Sequence, residues 1–286
     1  MPNIDLFESA FRAAAKTVFH HHPVTVRKAL VVTDLAADAA LAYAERVKGF
    51  LAGLPRAESV TWAIAHGAEV ETVGALLERV QHEQPDLVCT YRNLHSGAFR
   101  WPYTLGDHVE VLTQVTTVPV LLLPRPDAQA ALETRLQDTN RVMAITDHLT
   151  GDDKLVSWAV ALTSPGGTLF LTHIEDQGTF ERYVEVIGKL PGLDTDRARE
   201  LIGAQLLKEP SEYIDTCAAG LRAAGVDVIV APEVQMGHHL PVYRELVEEH
   251  AIDLLVMNTK DEDQLAMHGL AYPLAVELRG LPLLML

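Results

Sequence analysis

Two apolar runs with the same ending constrain this chain more than any other feature. KALVVTD (28–34) and RVMAITD (141–147) each set a nearly unbroken aliphatic stretch before Thr-Asp. A strand without polar alternation must be covered on both faces, as strands of a parallel sheet are. The pattern then recurs in order. PDLVCTY (85–91) matches IDLLVMNT (252–259), and the closing run TTVPVLLLP (116–124) matches RGLPLLML (279–286). Short apolar runs alone would prove little, but three pairs in matched order point to duplication.

Helical patterns separate the runs, as parallel strands require of their crossovers. Residues 36–52 read as a helix that stops at Gly53 and Pro55. SVTWAIAHG (59–67) reads as a strand, followed by a helix through about Gln81. In the second copy a helix over 152–163 ends at SPGG, and TLFLTHI (168–174) is the next strand. A long helix spans about Asp196 to Ala224, with Pro210 as a candidate break. VDVIVAPE (226–233) and a helix over 240–250 follow. The first copy lacks an equivalent of TLFLTHI and the long helix, so it is shorter by one strand–helix unit. The expected architecture is α/β, with two related doubly wound parallel-sheet domains. Their expected limits are a helical extension over 1–25, a shortened domain over 26–124, a linker over 125–139 and a complete domain over 140–286.

Composition narrows the function. A formal charge of -16 repels nucleic acid and anionic membrane. No stretch approaches the ~20 apolar residues of a membrane span, and the N-terminus lacks a signal-peptide pattern. The expected location is cytoplasmic. Cys89 and Cys217 stand alone and read as buried small hydrophobes. Ile4, Phe7, Phe11 and Val18 have helical spacing, and His20, His21 and His22 follow as a polar cap or turn.

Ligands of open α/β sheets bind beyond the carboxyl ends of the strands. Asp34 and Asp147 sit there, each able to accept from a ligand hydroxyl or to cap the next helix. The second-half loop NTKDEDQLAMHG carries Lys260 against Asp261, Glu262 and Asp263 before Gly269 arrives, a nonstandard phosphate site. The first-half loop TYRNLHSGAFRWPYTLGDHVE is less acidic, with Arg92, Arg100, His95, Gly97 and Gly106. Its Trp101, Pro102 and Tyr103 are too bulky for a simple small-residue cradle. His148, His173, His238 and His239 reach the same sheet edge, but sequence spacing does not converge them on a metal. Ser96 precedes Gly97 without a G-x-S-x-G elbow, and no G-x-G-x-x-G turn follows the first strand.

The paired Asp34 and Asp147, the late loop–helix and the closing VPVLLL and LPLLML runs resemble the tandem universal stress proteins. The resemblance spans residues 26–124 and 140–286. It implies the five-stranded fold of the universal stress protein and adenine-nucleotide alpha-hydrolase type. In ATP-binding relatives an acid after the first strand contacts the nucleotide, and a Gly-x2-Gly-x9-Gly-Ser/Thr loop follows the fourth strand. Asp34 and Asp147 match the acid; Gly106 and Gly269 match only the late glycine, with Asp107 and Leu270 in place of the hydroxyl residue. The chain thus resembles members with a degenerate ATP motif. The function expected is a non-enzymatic stress-response or regulatory protein, with its halves paired through the closing strands and a homodimer beyond that. The alternative is an adenine-nucleotide-binding regulator with weak ATP hydrolysis. It would use Asp34, Arg92, His95, Gly97 and Gly106, or Asp147, Lys260 and Gly269.

Overall fold

The computed structural model describes residues 17–97, 103–126, 136–146, 149–259 and 269–286. The first half runs β1 (Lys28–Thr33), α1 (Ala37–Phe50), β2 (Thr61–His66), α2 (Val73–Glu83), β3 (Leu87–Tyr91), α3 (Asp107–Val115) and β4 (Val120–Leu123). The second half opens with β5 (Arg141–Ile145), α4 (Asp153–Leu162), β6 (Thr168–Asp176), α5 (Gln177–Gly188) and α6 (Thr195–Ala223). It closes with β7 (Ile229–Gly237), α7 (His239–Glu249), β8 (Leu254–Met257), α8 (Ala271–Glu277) and β9 (Leu283–Met285).

Among the described residues nine strands form one sheet in the order β2-β1-β3-β4-β9-β8-β5-β6-β7. Central strands are buried along their length; Leu30, Val31, Val88, Leu121, Ala144 and Val256 have no exposed surface. Each fully buried valine or leucine side chain contributes about 1.5–3 kcal/mol. The outer strands β2 and β7 are only partly buried, as edges are. The four-strand order 2-1-3-4 and the five-strand order 7-6-5-8-9 share one winding, and the longer one adds the edge strand β7.

A repeated carboxylate fastens the strand starts. Asp86 accepts from the backbone N–H of Arg27 and Lys28 at 2.8 and 3.0 Å. Asp253 accepts from the N–H of Arg141 at 2.8 Å. Both acids come just before β3 and β8, so each satisfies a donor that the ladder leaves open.

All neighbours are parallel except β4 and β9, where Val120, Leu121 and Leu122 face Met285, Leu284 and Leu283. The two closing runs therefore pair with each other within the chain. That antiparallel seam reverses direction, so the carboxyl edge of the first half lies at the same end as the amino edge of the second. No helix among the described residues is long and apolar enough to cross a membrane.

Four sequence expectations need correction. TLFLTHI does have a first-half counterpart, since β6 lies beside β5 as β2 lies beside β1, and the strand without one is β7. Pro210 does not break α6, which runs from Thr195 to Ala223 as one helix. The proline is buried in the helix interior, and the neighbouring Ser211 hydroxyl donates to the Leu207 carbonyl at 2.7 Å. Local hydrogen bonding and packing outweigh the missing donor. Helix α5 was not anticipated; Asp176 caps it by accepting from Thr179 N–H at 2.7 Å. Val18 to Val26 form no helix. There Phe19 is buried, its N–H donates to Thr216 Oγ1 at 3.0 Å, and its ring meets Tyr213 edge-on. The histidines that follow anchor the chain by their backbone, His20 N–H to Asp153 and His22 N–H to Ser157. The earlier part of the N-terminal pattern and most of the linker lie outside the described residues.

Candidate functional site

Strand order reverses between β1 and β3 in the first half and between β5 and β8 in the second. Each reversal splays the neighbouring crossovers and leaves a crevice at the carboxyl strand ends. In the first half that strand end carries Thr33, the last residue of β1, with Asp34 after it, and Tyr91, the last residue of β3, with Arg92, Asn93 and His95 in the loop that follows.

Both carboxylate oxygens of Asp34 are engaged within the chain. Oδ1 accepts the Tyr91 hydroxyl in a short bond. Oδ2 accepts the His95 N–H at 2.9 Å and Arg125 Nη2 at 3.1 Å. The Tyr91 hydroxyl also accepts from Asp34 N–H at 3.1 Å and lies 2.7 Å from Thr33 Oγ1. Arg125 stacks over the Tyr91 ring at 5.3 Å and donates to the Asn93 carbonyl at 2.8 Å. Tyr91 is fully buried, with the Tyr43 ring edge-on at 5.5 Å. Burial alone would raise the Asp34 pKa; Tyr91, the His95 N–H and Arg125 outweigh it, so the carboxyl sits below its usual range. Burial and the same bond raise Tyr91, which keeps the proton on the phenol.

Asp34 does not cap α1: the N-cap is Ala36, without a side-chain bond. The capping expectation is corrected to a bridge from β1 to the β3 loop. The bridge forms because His95 and Asn93 both take positive φ, 54° and 57°, turning the His95 N–H towards β1.

Arg92 points away from this crevice and across the seam. Its guanidinium donates to the carbonyls of Ala275 and Arg279, with Leu278 at 3.4 Å. These carbonyls lie at the end of α8, where acceptors lack helical donors and a cation meets the helix dipole favourably; that of Leu278 also accepts from Leu281 N–H at 3.1 Å. Burial pulls its pKa down to about 9, and neighbouring Arg279 adds to the fall. Gly106 has φ 88°, and a Cβ there would stand 2.8 Å from the Asn93 Cα. The glycine allows the two loops to touch; Asn93 N–H reaches the Leu105 carbonyl at 2.8 Å. Among the described residues nothing stands within 4 Å of a Cβ placed on Gly97 or Gly269. The His95 ring lies 5.5 Å from His108, whose Nε2 is buried with no hydrogen-bond partner among the described residues.

In the second half Asp152 caps α4 by accepting from Leu155 N–H at 3.0 Å, and its other oxygen accepts from Asn258 after β8. Burial raises its pKa. Asp147, His148, Lys260 and the acids Asp261, Glu262 and Asp263 lie outside the described residues. His173 is 3.4 Å from Glu175, His239 is 2.8 Å from the Ile174 carbonyl, and His238 is 4.0 Å from Asp176. Among the described residues no three His, Cys, Asp or Glu side chains are placed to hold a metal ion.

Sequence reasoning missed Tyr91 and Arg125 as members of this cluster. The signal for Tyr91 was a large aromatic at the last position of β3, where a ligand crevice needs space. Arg125 carried no signal beyond being basic just after β4.

The chain is similar over 92% of its length to a protein of unknown function from Pseudomonas aeruginosa PAO1, with 13% identity, 92% of that chain covered and a TM-score of 0.50. A candidate universal stress protein from Pseudomonas aeruginosa UCBPP-PA14 matches with 12% identity, 92% and 93% coverage and a TM-score of 0.50. The fold is of the universal stress protein type. No protein-family model and no curated protein matches the sequence. Identities this low establish the universal stress protein fold alone, and function has to be argued from the site.

Proposed function

We propose that this chain is a tandem universal stress protein that works as a non-enzymatic cytosolic regulator, and that its first-half crevice is closed to nucleotides. One observation carries the reading: both oxygens of the Asp34 carboxylate are already engaged, Oδ1 by Tyr91 and Oδ2 by His95 N–H and Arg125. A ligand hydroxyl or base amine has to compete with these charge-assisted bonds, each worth about 1.5–3 kcal/mol. The Tyr91 ring adds bulk at the same place. In this reading Arg92 and Gly106 are architectural. Arg92 closes the end of α8, and Gly106 lets the loop reach Asn93.

The alternative, an adenine-nucleotide regulator, then rests on the second half and on Asp147, Lys260 and Gly269. Photolabelling with 8-azido-ATP at up to 1 mM, followed by peptide mapping, separates the readings. The expected result is no saturable label on peptides 28–36 or 87–97. Label confined to second-half peptides would favour the nucleotide regulator. Saturable, ATP-protected label on either first-half peptide would overturn the closed crevice.

A further inference from the structure

A cleft of ≈ 930 Å³ opens at the end of the molecule where the first half's carboxyl edge meets the second half's amino edge. Sites for small organic ligands commonly have volumes of roughly 300–1,000 Å³. The cleft is separate from both sheet-end crevices. The exposed Tyr103 stands at one side, and the turn from α8 into β9 forms another.

Three arginines line it, Arg141, Arg244 and Arg279. Arg141 Nε lies 3.9 Å from Asp253 and Arg244 Nη1 3.7 Å from Glu277, with both arginine side chains more than half exposed. Ion pairs so long and so solvated hold their donors weakly. Arg279 belongs to neither pair. It stands beside Arg92, whose own donors go to backbone carbonyls, so one guanidinium backs another. Glu248, Asp253 and Glu277 match the three arginines in the lining, so in a chain of net charge -16 the cleft is a locally neutral spot that repels an anion less than an acidic surface does.

The remaining lining limits the ligand. Val247, Ile252, Val276, Leu281 and Pro282 supply apolar surface, while Glu248, Asp253 and Glu277 oppose a densely charged anion. We propose that this seam cleft binds a small organic monoanion, its oxyanion head on Arg279 and its apolar body against Val276 and Leu281. A planar guanidinium suits a carboxylate or sulfonate head because it can donate two parallel bonds.

The probe is 1-anilinonaphthalene-8-sulfonate, a monoanion with an apolar body, titrated by fluorescence into the full chain and displaced with octanoate. Arg279→Ala should weaken octanoate-displaceable binding at least tenfold, while Lys189→Ala, an equal loss of charge at an exposed site just after α5, should leave it within twofold. Millimolar inorganic phosphate should not displace the probe. Three results would each overturn the site: Arg279→Ala within twofold of wild type, an equal loss in Lys189→Ala, or phosphate displacing as well as octanoate. Should circular dichroism show that Arg279→Ala has lost its fold, Glu277→Gln decides. Removing that carboxylate should tighten binding, and unchanged or weaker binding refutes the proposal.

Discussion

Replacing Tyr91 with Phe removes one oxygen from the centre of the first-half crevice and keeps the ring under Arg125 and against Tyr43. The lost bond to the Asp34 carboxylate is charge-assisted, worth roughly 1.5–3 kcal/mol. Asp34 N–H loses the same partner, and a buried group left unsatisfied costs about 1 kcal/mol or more; the Thr33 hydroxyl keeps the Leu35 N–H at 3.1 Å. The sum is a destabilisation of about 3 kcal/mol. For a chain of this size ~2 °C of Tm accompanies each kcal/mol, which makes a fall of about 6 °C. Urea and thermal unfolding followed by circular dichroism measure both quantities. Tyr43 provides the internal control: its hydroxyl is buried with no hydrogen-bond partner among the described residues, so Tyr43→Phe should be neutral or mildly stabilising. If Tyr91→Phe cost less than about 0.5 kcal/mol, or no more than Tyr43→Phe, the Tyr91–Asp34 bond would not be what holds this crevice closed.

Other substitutions probe the remaining contacts. Arg92→Ala leaves the Ala275 and Arg279 carbonyls without their donor, at about 1–3 kcal/mol each, with amide exchange rising first in 271–279; uniform exchange would show that α8 does not depend on it. Gly106→Ala combines φ 88° with a 2.8 Å approach to Asn93 Cα. It should lose at least ~2 kcal/mol in urea unfolding, and a neutral result would mean that the 93–97 loop yields freely. Asp34 has a lowered folded pKa. Its stabilisation is therefore complete above the unfolded value of ~3.9 and is lost as pH falls through the lower folded value. Arg125→Gln removes a cation that holds that pKa down, so the acid unfolding limb should move to higher pH; a limb that stays in place would show that Arg125 does not set it.

Much of the fold is legible in the chain because burial on both faces leaves a local mark. The runs at 28–34, 85–91, 141–147 and 252–259 all contain strands of the sheet. VDVIVAPE is the weakest of these readings: β7 starts at Ile229, later than its apolar run, and continues to Gly237. An edge strand is only half covered, so its limits follow its neighbour β6 more than its own hydrophobicity. Helix α5 escaped notice because its buried contacts are few, Phe180 and Val184, and its outer face carries the exposed Tyr183 and Val186.

By itself the sequence determined the strand runs, most of the helices between them, the shorter first half and the carboxylate at the end of β1, since each depends on neighbours in the chain or on a repeated pattern. Only the tertiary structure decided what those residues do. Asp34 finds Tyr91 fifty-seven positions away and Arg125 ninety-one positions away, and Arg92 reaches α8 across the antiparallel seam. Hydrogen bonds of buried charges are settled by whichever donors the fold brings within reach, and no local pattern records partners so distant in sequence.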